Sequence, residues 1–334
     1  MHILQPCCII MNFSLFIHNK TPKVFCLTFG VHVKLVPAFY LILQIIEQSS
    51  VMATVKKNSP KVMGILNINN ESFYSRSRCT ETTQIVSRLE QMLADGASII
   101  DIGACSTRPG SIPVTLDQEW EYLQKPLEAI AERYPAGNRN FEISIDTFRS
   151  TIVERAYNIL GKFTVNDISA GEDDPAMLPI VGKLELPYIA MHKKGTPSTM
   201  QQMCSYPQGV VEEVTAYFKN FEKKAAEHGI TDYIVDPGFG FAKNTEQNYT
   251  LFNGMPRIVS EIEEFSGKKR KLLVGISRKG MIWKPLGITP EEALCGTVAM
   301  NLQALMLGAD ILRVHDVKEA RQCIKLWECL QSEQ

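Results

Sequence analysis

The chain of 334 residues has no surplus of charge: 35 Lys and Arg stand against 36 Asp and Glu, a formal net charge of −1. That balance excludes an overall field that would recruit nucleic acid or an anionic membrane, although a few local cations could still hold an anionic small molecule. There is no CxxC pair and no other metal-type cysteine spacing. Nine cysteines are scattered along the chain, two of them adjacent at Cys7 and Cys8. The odd count and the lack of a clear signal peptide predict reduced thiols in a cytoplasmic protein. No apolar run is long enough to span a bilayer. The longest, Leu35 to Ile46, is about a dozen residues against the ~20 required, so no membrane partner is expected. No GxGxxG follows the first strand candidate, which weakens a dinucleotide fold. No internal repeat is visible.

Residues 1–51 lack Asp altogether and hold a single Glu, Glu47. They are rich in Ile, Leu, Phe and Val without a steady period. The stretch from Cys7 to Phe16 could pass for a signal core, but only His2 precedes it and no small-residue cleavage site follows cleanly. Met52 is followed by Ala53-Thr54-Val55-Lys56-Lys57, an ordinary soluble N-terminus. Residues 1–51 are therefore expected to be a non-barrel extension, disordered or preceding the true start at Met52. The rival is a genuine targeting or membrane segment. Residues 52–334 are expected to form the single working domain.

What is present is a rhythm. The composition, 45% hydrophobic and 21% charged, is ordinary for a soluble globular protein. Short runs rich in Val and Ile at 61–67, 98–103, 142–147, 163–167, 188–192, 232–236, 272–277 and 311–315 predict eight strands. Helical stretches fit after them, at about 81–95, 116–134, 149–160, 175–184, 208–228, 245–265, 290–307 and 316–330. Strict alternation with apolar strands predicts a parallel sheet buried on both faces. Eight units over this length match an α/β fold of the (β/α)8 TIM barrel type in one domain. An open doubly wound sheet is the structural alternative.

Each apolar run ends in polar residues: Asn67, Asp101, Asp146, Asn166, His192, Asp236, Ser277 with Lys279, and Arg313 with His315. In a barrel these ends converge on one rim, where active sites are built. Turn-forming and capping would explain any one Asp or Asn. They do not explain Lys279, Arg313 and His315. Carboxylates and amides suit a flat heterocycle with several N–H donors, because a guanidine-like edge pairs with a carboxylate in a two-bond fork. Arg313 and His315 lie two apart, so strand alternation can point both to one side. With Asn67 they form a polyphosphate corner. A Mg²⁺ ion there would need only one or two protein oxygens, since it keeps several waters; Asn67 and Asp101 are the nearest candidates. The loop from Lys193 to Pro197 is expected to be half solvated, and the run 268–271 to be solvated surface.

Taken together, Met63-Gly64-Ile65-Leu66-Asn67, Asp101-Ile102-Gly103, Ser106-Thr107-Arg108-Pro109-Gly110, Ile145-Asp146-Thr147, Asn166-Asp167-Ile168-Ser169, Met191-His192, Asp236-Pro237-Gly238-Phe239-Gly240-Phe241, Ser277-Arg278-Lys279 and Arg313-Val314-His315-Asp316 resemble the dihydropteroate synthase family in order and content. The resemblance covers about 61–330. It implies an enzyme of folate biosynthesis, a transferase that condenses 6-hydroxymethyl-7,8-dihydropterin diphosphate with p-aminobenzoate to give 7,8-dihydropteroate and diphosphate. It implies that Asn166, Asp236 and Asp146 hold the pterin and that Lys279 contacts it beside the p-aminobenzoate slot. Asn67 would meet Mg²⁺, with Arg313 and His315 on the diphosphate. Asp146, Lys279 and Arg313 carry the catalytic roles. Thr107, Arg108, Pro109, Phe241 and Ser277 would line the p-aminobenzoate side, with Phe73 closing over it. It also implies a homodimer, for which the helix at 290–307 has apolar surface.

The sequence departs from the family in its loops. A pattern near NVTPDSF reads Asn67-Ile68-Asn69-Asn70-Glu71-Ser72-Phe73, Cys105 stands where Glu is common, and Gly-Lys-Thr reads Ala242-Lys243-Asn244. The altered first loop leaves an alternative, a weakened or non-catalytic pterin-binding paralogue. A methyltetrahydrofolate-type methyltransferase is opposed by Lys279, Arg313 and His315, since a methyl carrier has no diphosphate to hold.

Overall fold

The computed structural model describes residues 59–68, 78–104, 114–196 and 199–331. Its elements are β1 (Lys61–Asn67), α1 (Arg78–Ala94), β2 (Ile99–Gly103), α2 (Leu116–Arg133), β3 (Glu142–Asp146), α3 (Ser150–Leu160), β4 (Thr164–Asp167), α4 (Met177–Lys183), β5 (Tyr188–Met191), α5 (Val210–Glu227), β6 (Tyr233–Asp236), α6 (Thr245–Asn253), α7 (Met255–Ser266), β7 (Lys271–Val274), α8 (Gly280–Leu286), α9 (Leu294–Met306), β8 (Ile311–Val314) and α10 (Val317–Gln331). Every strand is parallel to its neighbours, and β8 pairs with β1, so the sheet closes in sequence order. The fold is the expected (β/α)8 barrel. The extension 1–51 lies outside the described residues.

Strand register decides what fills the barrel. Met63 lies opposite Ile99 and Arg313, Ile65 opposite Asp101, and Gly103 opposite Asp146. Asp146 in turn faces Asn166, and Asp236 faces Met191. Residues in register share a face, and successive side chains alternate. The interior therefore has two storeys. The lower one is apolar: Met63, Ile99, Ile189, Leu273 and Ile311 form their own buried cluster, each contributing about 1.5–3 kcal/mol by leaving water. The upper one holds Asp101, Asp146, Asn166, Asp236 and Arg313. Charges there cost stability unless they are paired, so their presence points to function. Outside the barrel the helices dock by apolar stripes. α10, for example, buries Val317, Ala320, Cys323, Ile324 and Trp327 at helical spacing.

Three expectations change. The single helix at 245–265 is two, because Gly254 ends α6 and Pro256 sits in the first turn of α7, where a missing N–H costs nothing. The seven-residue α8 was not expected, since it is too short to show a period and contains Pro285. The run 268–271 is not all solvated surface. Arg270 is buried, donates to a Glu222 carboxylate oxygen and to Thr231 O (3.1 and 2.9 Å), and lies over the Tyr233 ring. Those partners replace its water.

Candidate active site

The upper storey is organised by Arg313. Its Nε donates to Asp101 Oδ2 and its Nη2 to Asp146 Oδ2, both at 2.6 Å. β8 carries the guanidinium across the barrel to reach β2 and β3. Asn166, on β4, donates its amide Nδ2 to both Asp101 oxygens at 3.2 and 3.1 Å. An ionised carboxylate accepts only, so Asp101 fixes the amide's direction and leaves Asn166 Oδ1 as an acceptor for a ligand N–H. Asp236, on β6, accepts from Gly238 N at 2.8 Å. Three strands thus present acceptors to the barrel axis beside one shared cation.

The loops after β6, β7 and β8 complete the rim. Lys279 Nζ donates to Phe239 O at 2.6 Å and lies 4.9 Å from the Phe241 ring centroid. His315 N donates to Ser277 Oγ at 3.2 Å, while the hydroxyl and His315 Nδ1 are 3.0 Å apart. Arg278 forks onto Asp316 at 2.8 and 2.9 Å and adopts φ 55. β7 ends at Val274, and this left-handed turn follows Ser277. Asn67 is the last residue of β1, in register with Gly103, and is exposed at the mouth.

Burial sets the charge states. It pushes Asp146 up to about 7; Arg313 offsets part of this, and the Asp101 carboxylate adds to it. Burial also raises Asp236 against the pull of Lys279. It lowers Lys279 to about 8, with Asp236 opposing. Burial disfavours the charge on Arg313, yet Asp101 and Asp146 outweigh it and hold the guanidinium protonated. Such opposed shifts in one cleft mark a functional site.

The structure brings together Asp146, Asn166, Asp236, Lys279 and Arg313, with Phe241, Ser277 and His315 on the loops above. Phe73, Thr107, Arg108 and Pro109, the altered stretch 69–71 and Cys105 lie outside the described residues. The Asp101 carboxylate accepts from both Asn166 and Arg313. Lys193 is not half solvated: it is buried and paired with Asp173 at 2.7 Å. A cavity of about 770 Å³ opens there, between the loops after β4 and β5. Its lining includes none of the barrel-axis residues.

Sequence reasoning left two supports out of the site. Glu119, fully buried, accepts from Thr147 Oγ1 at 2.7 Å and pairs with Arg149, whose Nη2 donates to Val114 O at 2.6 Å. This ties the end of β3 to the chain just before α2. The signal was visible, for Glu119 shares a helix face with Leu123, Leu127 and Ile130. The other is Lys243, buried against His192, whose strand-end position the sequence did show.

Residues 63–315 match the family model described as pterin binding enzyme. The dihydropteroate synthase of Escherichia coli K12 is 36% identical over 271 residues, covering 80% of this chain and 91% of that protein. That of Neisseria meningitidis serogroup C is 35% identical over 277 residues, covering 82% and 93%. Among solved structures, Yersinia pestis dihydropteroate synthase with a sulfonamide drug superposes with a TM-score of 0.72 at 32% identity, covering 84% of this chain and 97% of that one. Xanthomonas albilineans dihydropteroate synthase with 4-aminobenzoic acid superposes at 0.71 and 30% identity, covering 82% and 94%.

Proposed function

The chain belongs to the pterin binding enzymes and within them to the dihydropteroate synthase family, and from that premise we propose how its residues carry the reaction. The enzyme condenses 6-hydroxymethyl-7,8-dihydropterin diphosphate with p-aminobenzoate. The observation that carries the assignment is the upper storey of the barrel, where Asp146, Asn166 and Asp236 face one axis beside Arg313.

The pterin's amino and ring N–H groups meet Asp236 and Asn166 Oδ1. The C–O bond from the exocyclic methylene to diphosphate breaks, and the ring spreads the positive charge. Asp146 lies fixed in the barrel to stabilise that charge, which is most effective where water is excluded. Arg313 and His315 meet the departing diphosphate. The arylamine nitrogen then forms the C–N bond and releases its proton to solvent. Lys279, Phe241 and Ser277 line its slot, with Phe73, Thr107, Arg108 and Pro109 from the loops. No protein nucleophile is needed, so this is transferase chemistry without a covalent enzyme intermediate.

Mg²⁺ suits this corner. Asn67, exposed at the end of β1, would hold the ion, which needs only one or two protein oxygens. Bound there, it would neutralise leaving-group charge. Exposed Leu286, Met306, Leu326 and Leu330 on α8, α9 and α10 support a homodimer through those helices, to be checked by light scattering. Cys204, Cys295, Cys323 and Cys329 are in no disulfide among the described residues. Among the described residues, no helix is long and apolar enough to cross a membrane.

The test is diphosphate release by the purified protein. Release should require both substrates and fall on chelation of Mg²⁺. Absence of turnover, with both substrates shown to bind by calorimetry, overturns the reading in favour of a non-catalytic pterin binder.

A further inference from the structure

We propose that Lys243 is a positioning residue for the arylamine half of the site, acting through the loop 237–242 that it clamps to the end of β5. The proposal rests on reading the site as a dihydropteroate synthase. Lys243 is buried, 3% exposed, at the base of that loop. Its Nζ donates to Gly238 O at 2.9 Å and Phe241 O at 3.0 Å, and lies 3.0 Å from His192 Nδ1. An ammonium has three N–H donors and no acceptor. Gly238 O and Phe241 O take two of them, and the third lies between His192 Nδ1 and His192 O, the latter 3.5 Å away. None of the three partners is a carboxylate. The arrangement is built to hold backbone rather than to pair charge.

What it holds leads to the reacting groups. Gly238 has φ 71, and a Cβ there would stand 1.9 Å from His192 O, so the loop is pressed onto the end of β5. Asn248 ties the same loop from the other side, accepting from Gly240 N at 2.7 Å and donating to Lys243 O at 3.0 Å. Phe239 buries its ring against Phe252 and turns its carbonyl to Lys279. Phe241 offers its ring to the same ammonium. The clamp therefore sets both the acceptor and the aromatic face that place Lys279. Asp236 depends on it less, because β6 holds its backbone in register with Met191.

Steady-state kinetics of full-length Lys243→Met should show KM for p-aminobenzoate raised tenfold or more, while the Kd for pterin diphosphate by calorimetry moves less than threefold. His192→Leu should reproduce this split. His192→Asn, which keeps an acceptor near the Nδ1 position, should recover most of the lost affinity. The double variant Lys243→Met with His192→Leu should be no worse than either single change. Amide exchange should quicken at 239–242 and not across the barrel. An unchanged KM for p-aminobenzoate, or KM and pterin Kd rising together, overturns the proposal. If Lys243→Met does not fold, the two His192 variants carry the comparison. A wild-type protein without turnover refutes the assignment of function instead; exchange at 239–242 and pterin binding then still decide whether Lys243 clamps the loop.

Discussion

Arg313 is shared by two carboxylates, and that sharing governs how the site titrates. One guanidinium cannot fully compensate both Asp101 and Asp146 in a dry interior. Burial takes Asp146 from its ordinary 3.8 to about 7; Arg313 offsets part of that rise, while Asp101, Glu119 and Asp167 add to it. Below that pH the protonated form neither pairs with Arg313 nor balances charge on the pterin. The kcat/KM for pterin diphosphate should therefore fall as pH drops below about 7. It should fall again above about 8, where Lys279 loses its proton, giving a narrow bell. Stability moves the other way on the acid side. Between about 4 and 7 the folded protein keeps a proton that the unfolded chain has released, so this group's contribution declines as pH rises. Asp101→Asn should weaken pterin affinity by about 10–100-fold, the scale of a buried charge-assisted contact. It frees the Asn166 amide to turn and leaves Arg313 wholly to Asp146, so the acid limb should shift to lower pH. An acid limb that stays in place would show that Asp101 does not set the charge of Asp146. At this scale Asp146, Asn166, Asp236 and Arg313 were legible, because strand alternation fixes where they point. The pairing of Lys243 with His192 was not, since the two lie 51 residues apart and only loop geometry brings them together; Glu119 showed as a carboxylate on an apolar helix face, but its partner Thr147, 28 residues on, did not.

The elements show where the chain accepts strain. α4 ends in a Schellman turn: Glu185 N donates to Gly182 O, and Leu186 N donates to Val181 O, both at 3.1 Å. The turn puts Glu185 at φ 51, a region that favours glycine, and Glu185 is exposed. Its ion pair with Lys162, 3.3 Å and largely in solvent, is worth little. Glu185→Gly should thus raise stability by about 1 kcal/mol. A denaturant midpoint that falls instead would mean the strain had been relieved in some other way. Ala242, at φ 51, offers no such gain, because it is buried and removing its methyl would cost a similar amount. Helix ends were read well where they carry a capping box, as at Asn244 with Gln247. The break at Gly254 was missed because the apolar face continues across it, with Leu251, Met255 and Ile258 all buried.

A closed barrel has no edge, and that bears on which residues the whole molecule needs. Every strand between Lys61 and Val314 has both neighbours inside this span, and β1 is satisfied by β2 on one side and β8 on the other. Among the described residues, no row of unpaired strand backbone is left for another segment to complete. The start of the barrel is secured locally: Lys61 N donates to Asp310 O at 2.9 Å, and the Ser59 hydroxyl bonds the Glu328 carboxylate on α10. A chain comprising residues 52–334 should therefore unfold cooperatively with a midpoint within about 3 °C of the full chain, about 2 kcal/mol at this size, and with the same kcat. A chain cut before β8 should behave in the opposite way. It loses Arg313 from the site and exposes the edges of both β1 and β7, and it should show no cooperative transition at all. If the 52–334 chain lost its transition or more than tenfold in turnover, residues 1–51 would have to be counted as part of the working domain, and the closure of the barrel would not be enough to define it.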